Sequence, residues 1–331
     1  MNTGNNDALY DIEMAYKDVT TTGTFGTSVL QPEFFNQYIK EATRDKTILM
    51  DARFSKMNAH TQKISRTGFG GRVMEEATEN VAGNAKNPSF HDETLTAKEY
   101  IVVGSITDQS IRRSIEKEQY RQTFVSQLSE KGGEDWETLA VFGDTAKTFS
   151  GANTLLNSQD GWIKKGTNKL YGGTGGETQD FDPDGYAMSM MKAMLAAYPK
   201  NYLKNRSNLV FYLNSLDFDK YIEEKGERPT VAGDEAIENN VAKKYKGVQV
   251  KEAPVLNDTE ATNSTTGWGN VSMLVDPSNL VYGIFHEVTL EPEREAKLRR
   301  TDYIITQETD QNYENPNVCS IALHDVDKPA P

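Results

Sequence analysis

Residues 132–145 read GGEDWETLAVFGDT, and the meaning of this stretch decides how the rest of the chain is understood. Two adjacent glycines interrupt a helical pattern, three carboxylates surround Trp136, and Gly143-Asp144-Thr145 closes the run. Either the carboxylates form a catalytic or metal site, or the segment is the end of a structural helix.

Working upstream, Thr107 offers an N-cap and Asp108 an acidic first turn. At about 100° per residue, Ile111, Ile115, Phe124, Val125, Leu128, Gly132, Trp136, Leu139 and Ala140 share about half the helical wheel, with Glu118 and Arg121 intruding. The pattern predicts one amphipathic helix from about Asp108 to Phe142, roughly 50 Å long at about 1.5 Å per residue. Gly143 supplies its stop. Gly132 lies on the apolar face, where a missing side chain permits close packing. The Gly132-Gly133 pair is expected to weaken or kink the helix, at about 1 kcal/mol per glycine. Glu130, Glu134 and Glu137 point away from the stripe, Asp135 lies at its edge, and no histidine or cysteine is near enough in sequence to complete a metal shell. The stretch therefore reads as a helix end with a solvated acidic face.

The 331 residues include 37% hydrophobic side chains, enough for a real core. A formal net charge of −13 excludes a broad basic face for coating nucleic acid. Cys319, in NVCSIALHD, stands alone in a strand-like apolar run and reads as a small buried hydrophobe. The N-terminus lacks a signal-peptide pattern, and no apolar run approaches the roughly 20 residues of a membrane helix.

Residues 1–30 read as an extended arm, followed by a short helix opened by Gln31-Pro32-Glu33 and a strand entry in ILMDARFSKM. Residues 58–94 hold only six large apolar side chains, too few for a core. Alternation around KISRTGFGGRVMEE predicts a protruding two-stranded hairpin that packs on something outside itself. LTAKEYIVVGSI (95–106) is a strand. The polar segment 146–180 reads as a flexible crossover, and its GGTGGE lacks the ending of a phosphate loop. Residues 182–290 read as a compact α/β unit. Tyr186, Met190, Met191, Met194, Leu195 and Tyr198 form the inner face of its first helix. NLVFYLNS is a buried strand, and Ser215 caps the next helix. A further helix runs from Asp234 past Ile237, Val241 and Tyr245 to Gly247, before strands VQVKEAPVL, VSMLVD and LVYGIF. The last stretch holds two strands expected to return to the sheet containing 95–104. Within it, LEPEREAKLRR mixes both charges, which suits solvent or a neighbour.

His60, His91, His286 and His324 show no ligand spacing, and the chain has no nucleophile elbow, P-loop or dinucleotide fingerprint. No catalytic, cofactor-binding or metal residue is assigned.

Taken in order, these parts resemble the major capsid proteins of tailed double-stranded DNA bacteriophages, whose Hong Kong phage-type fold is shared by encapsulins. The resemblance runs from about Gln31 to Asp327 and is carried by ITDQSIRRS, AVFGDT, KKYKGVQV, LVYGIF and VCSIALHD. It implies an α+β chain with an N-terminal arm and short helix (1–50), an extended hairpin loop (51–94), a peripheral domain with a spine helix on a sheet (95–181), an axial domain (182–290) and a return to the peripheral domain (291–331). It also implies a structural, cofactor-free protein that assembles in the host cytoplasm, through hexamers and pentamers, into the icosahedral head of a virion. DNA would be enclosed without sequence-specific binding. The arm before Gln31 is too short for the scaffolding segment some members carry, so either a separate scaffolding protein, with a portal, is expected or the chain has been processed already, which Met1 argues against. Arg66, Arg72, Glu75, Glu76 and Lys86 are the candidate inter-subunit contacts of the hairpin. Some members cross-link lysine to asparagine. Lys56, Lys63 and Lys86 lie in or near the hairpin, but no asparagine partner stands out. Two alternatives stay open: an encapsulin-type compartment, and a soluble enzyme with a carboxylate or metal site in 182–290.

Overall fold

Two β-rich runs, KEYIVVGSIT and RTDYIITQETDQNY, pair along their length and organise the larger half of the fold. The computed structural model describes residues 47–69, 72–76, 84–114, 119–149, 151–172, 180–182, 187–226, 244–258, 268–324 and 326. The helix expected at 31–42 lies outside them, as does the helix expected from Asp234 except for its end at Tyr245.

A four-stranded sheet has the order β1-β10-β11-β4, built from Arg53–Lys56, Leu280–Glu295, Arg300–Tyr313 and Lys98–Thr107. β10 and β11 form a long antiparallel hairpin, and β11 pairs with β4 from Arg300↔Thr107 to Thr309↔Lys98. The expected return of the chain to this sheet is therefore made by β11. Alternation gives the sheet two faces. Ile106, Tyr303 and Ile305 are buried on one, whereas Ile101 and Val103 stand exposed on the other.

The long helix (Gln119–Phe142) lies on the buried face, with Phe124, Val125 and Leu128 packed around Ile106, Ile111 and Tyr303. The close approach is made by the strand and not by the helix. A Cβ at Gly104 would sit 2.8 Å from Leu128 and 2.9 Å from Phe124, whereas one at Gly132 would meet only Val102 at an ordinary 3.6 Å. Gly132-Gly133 does not interrupt the helix. The break falls earlier, because Asp108–Arg113 is a separate helix ended by Ser114, whose backbone is extended and whose N–H donates to the Ser110 carbonyl. The expected N-cap is present, with Thr107 accepting from the Ser110 N–H. Arg294, from the far end of β10, grips Asp108 with two bonds of 2.5 and 2.6 Å and ties this short helix to the sheet.

The second sheet has the order β5-β12-β9-β6-β8-β7, comprising Lys169–Tyr171, Cys319–Leu323, Val271–Val275, Val210–Leu213, Val248–Glu252 and Lys244–Tyr245. β6, β9 and β12 are buried at every position, which explains their near-continuous apolar runs. The helix Ala187–Ala197 covers one face with Met190, Met191, Met194 and Leu195, and Tyr198 follows, all buried as the periodicity predicts. LVYGIF belongs to β10 in the other sheet, while VCSIALHD supplies β12 here, so the two late strands part company.

Several local expectations change. ILMD forms a short helix, Thr47–Asp51, before β1 begins. The helix Ser215–Gly226 is capped by Asn214, whose side chain accepts from the Asp217 N–H, while the Ser215 N–H donates to Asn257. Tyr245 lies in β7, and Lys246-Gly247 (φ 47° and 87°) is the two-residue turn into β8. Both turn residues are left-handed, the geometry that matches strand twist in a tight hairpin. Within the described residues of the crossover there is a 3-10 helix at Gly151–Asn157 and a helix at Trp162–Lys165, while 173–179 lie outside them.

Gly104→Leu should drive side chain into the helix and lower subunit stability by about 1–3 kcal/mol. Gly132→Ala should be neutral or stabilising by up to about 1 kcal/mol. Urea unfolding of the two variants checks the ordering.

Candidate functional site

The long helix stops at Phe142, and the Gly143 N–H donates to the Leu139 carbonyl. A Cβ at Gly143 would lie 2.3 Å from the Gln159 carbonyl, and one at Gly161 would lie 2.7 Å from the Val141 carbonyl. Only glycine allows the crossover to lie this tightly on the last turn, where the Gly161 N–H donates to the Gly143 carbonyl at 2.7 Å. The indole N–H of Trp268 donates to the Phe142 carbonyl at 3.0 Å, satisfying a group the helix leaves open.

Each carboxylate of the opening stretch has a different fate. Glu137 is 4% exposed, and its Oε1 accepts from the backbone N–H groups of Ile48 at 2.9 Å and Leu49 at 3.1 Å. It therefore caps the Thr47–Asp51 helix and does not sit on a solvated face. Helical periodicity could not show this, since the partners lie 88 and 89 residues away. Glu134 pairs with Lys131, and Glu130 and Asp135 are exposed. Asp144 is buried, 3.1 Å from the Lys164 ammonium, and accepts from the Ala146 N–H. Among the described residues, no group of three or more His, Cys, Asp or Glu is placed to hold a metal ion. The arrangement holds segments together and offers no open coordination position.

A second polar seam ties the crossover to the sheet. Asp310 accepts from the Thr96 N–H at 2.6 Å and faces the Lys165 ammonium at 3.4 Å, while burial pushes its pKa up. Lys165 also donates to the Gln311 carbonyl, and Gln159 donates to the carbonyls of Thr96 and Thr309. Cys319 is buried, as its apolar surroundings predict, and burial raises the pKa of its thiol.

The six-stranded sheet holds a Ser-His-Asp contact that sequence reading did not single out. Asp217 accepts from His324 Nε2 at 2.9 Å, Ser272 Oγ at 2.7 Å and Asn214 Nδ2 at 3.0 Å. The serine donates to the aspartate and not to the histidine, and it is fully buried, so no activated nucleophile results. Burial opposes the Asp217 charge, but the bond and charge of His324 and the Ser272 bond outweigh it, leaving the pKa below its ordinary value.

The hairpin is formed as expected, by β2 (Thr61–Gly68) and β3 (Ser89–Thr96), which pair from Thr61↔Thr96 to Gly68↔Ser89. The strand expected over 95–106 divides at Ala97, whose N–H donates to the His60 carbonyl. The five candidate contact residues do not form one cluster. Glu75 accepts from Lys86 at 2.8 Å and from the Asn84 backbone and side chain at 3.1 Å each, so Glu75 and Lys86 pin the hairpin to itself. Lys86 and then Asn84 hold the Glu75 pKa low. Arg72 and Glu76 are exposed near the tip. Arg66 lies lower down, at a cleft of about 320 Å³ shared with Tyr198, Asp276 and Glu314. Lys63 faces Asp92 at 3.6 Å across the two strands. The hairpin also exposes Phe69, Val73, Met74 (93%) and Phe90 (68%).

Because the folded-state pKa of Asp217 is depressed, its stabilisation is present above the unfolded value of about 4 and is lost as pH falls through the folded value. Unfolding measured between about pH 5 and pH 2 should show this acid loss. Asp217→Asn should cost about 3–5 kcal/mol at neutral pH and flatten that limb.

No family model matches the chain. The Bacillus subtilis (strain 168) protein named "Putative prophage capsid protein YqbE" is 26% identical over 315 residues, covering 94% of this chain and 95% of that protein. Among solved structures, the satellite phage P4 procapsid including size determination (Sid) protein matches with a TM-score of 0.56 and 11% identity, covering 88% of this chain and 99% of that one. The capsid of an empty GTA particle matches with a TM-score of 0.55 and 13% identity, covering 95% and 97%. Gordonia phage Cozz matches with a TM-score of 0.57 and 9% identity, covering 85% and 86%. With a helix end built for support, an exposed hairpin and a similarity to phage capsid proteins that runs over nearly its whole length, the chain has the Hong Kong phage-type capsid fold.

Proposed function

We propose that this chain is the repeating subunit of an icosahedral head, joined to its own copies in hexamers and pentamers, with the hairpin as the main reach onto a neighbour. The observation that carries the reading is the exposed apolar edge of the hairpin, Phe69, Val73, Met74 and Phe90. Four large apolar side chains on a two-stranded arm cost solubility unless another surface covers them. Ile101 and Val103, exposed on the outer face of the edge strand β4, present a matching apolar surface that a second copy can cover. Arg72 and Glu76, with the paired Glu75 and Lys86, then lie at the rim of such a contact. Exposed ion pairs contribute only about 0–1 kcal/mol each, so the apolar residues carry the contact and the charges set its register.

In this reading the chain divides into the arm and short helix (1–50), the hairpin (51–94), a peripheral unit expected at 95–181 and 291–331 and an axial unit expected at 182–290, except that β5 and β12 belong to the six-stranded sheet of the axial unit and β10 begins in the peripheral sheet. Its role is non-enzymatic and needs no cofactor. A separate scaffolding protein and a portal complete assembly, and the packaged DNA is enclosed without sequence-specific contact. The net charge of −13 supports the last point, since a strongly acidic subunit does not bind a polyanion broadly.

Sedimentation velocity and negative-stain microscopy of the purified protein test the reading. Closed hollow particles, or rings of five and six, are expected. Met74→Asp with Phe90→Asp should raise the protein concentration needed for assembly by at least about tenfold. A monodisperse particle of one or two chains at every concentration and salt would overturn the proposal. Particles lacking nucleic acid and carrying an enclosed enzyme would replace the DNA-filled head with an encapsulin-type compartment.

A further inference from the structure

We propose that Arg66 sets the direction of the hairpin by docking into a cleft beside the six-stranded sheet, so that the angle at which the hairpin leaves the subunit is fixed within the subunit itself. Along β2, Gln62, Ile64 and Arg66 are the partly shielded positions of an alternating pattern. Ile64 packs with Met57, Leu95, Ala97 and Val281 at the hairpin base. Arg66 follows two residues later on the same face, and Thr67, Gly68 and Phe69 beyond it are exposed. Arg66 is thus the last residue of β2 to touch the body, which makes it the point from which the free part of the hairpin swings.

The cleft it enters, about 320 Å³ in volume, is walled by the 3-10 helix Lys200–Asn208, by Asp276 and Ser278, and by Glu314. Two carboxylates therefore share the cleft with the guanidinium. Asp276 commits Oδ1 to the Ser278 N–H and hydroxyl, and Glu314 commits Oε2 to Arg53 at 2.7 Å. Nη1 of Arg66 is shut off from solvent and makes no direct hydrogen bond to either acid. The guanidinium is held by the shape of the cleft and by its two acids, opposed by Lys204 and with no bidentate clamp, and this holds the hairpin in one direction. The consequence for assembly rests on the proposed role of the hairpin, but the docking itself does not.

The test is a distance measurement between spin labels on Thr67→Cys and Ser207→Cys in the full-length, unassembled chain. The only native cysteine, Cys319, is buried and does not compete for label. A single narrow distance is expected for the parent. Arg66→Ala and Arg66→Glu should lose it to a broad distribution, and Asp276→Arg combined with Arg66→Glu should restore it. Lys204→Ala, which removes a charge from the cleft wall without touching the hairpin, should leave the distance narrow. A broad distribution in the parent, or an unchanged narrow one in Arg66→Ala, would overturn the proposal. Sedimentation of the same variants reports on shell formation separately, so a chain that never assembles would count against the head reading and not against this one.

Discussion

The structure depends on the sealed end of the long helix. Phe142, Trp162, Tyr212, Val271, Tyr282, Ile284, Tyr313 and Cys319 belong to one buried cluster that draws on the helix, the crossover and both sheets. Burying a large apolar side chain contributes about 1.5–3 kcal/mol, so this cluster is the strongest joint in the molecule. It forms only because Gly143 and Gly161 let the crossover lie against the last helical turn. Glu137, Trp268 and Asp144 then satisfy backbone groups and charge that this burial would otherwise strand.

This joint ties the two sheets to one buried cluster. The hairpin, by contrast, joins the body at its base, through the small cluster of Met57, Leu95, Ala97 and Val281 and the bonds of Thr94 and Thr96 to β11 and the crossover, and Thr67, Gly68 and Phe69 beyond Arg66 are exposed. A stiff body with an exposed, self-pinned arm suits a lattice. Each inter-subunit contact can be weak because every copy makes several at once. The same division explains where charge is spent. Ion pairs at the joint are shielded, as with Asp144 and Lys164 or Asp310 and Lys165, whereas those of the hairpin are open to solvent and adjustable.

Much of this was legible in the sequence because the signals are local. Thr107 caps its helix, Gly143 ends the long one, the methionines fill the interior, and the apolar-poor segment 58–94 stands out as a hairpin. What was missed depends on contacts between distant residues. Ser114 breaks the helix although the apolar stripe continues through it, because periodicity is indifferent to one extended residue. Glu137 looks solvated by its angle on the wheel, yet a segment from the other end of the chain covers it. Gly247 follows three lysines as a helix stop would, but Lys246 is also left-handed, and Lys246-Gly247 turns between strands. The crossover is polar enough to read as flexible, yet Phe149, Leu156, Trp162 and Ile163 anchor its described part in the core. Of the five proposed contact residues, Glu75 and Lys86 face each other and Arg66 faces its own subunit, relations that sequence spacing does not encode.

The claim that the carboxylates of GGEDWETLAVFGDT are supports and not a reactive site is tested most directly at Glu137. Urea unfolding of the unassembled chain, with Glu137→Ala and Glu137→Gln, should be followed with and without magnesium or calcium. The account predicts that alanine lowers stability by about 1–3 kcal/mol for each orphaned N–H, that glutamine recovers part of the loss, and that neither cation shifts any of the three curves. Variants as stable as the parent, together with a saturable cation-dependent stabilisation that only the parent shows, would contradict it.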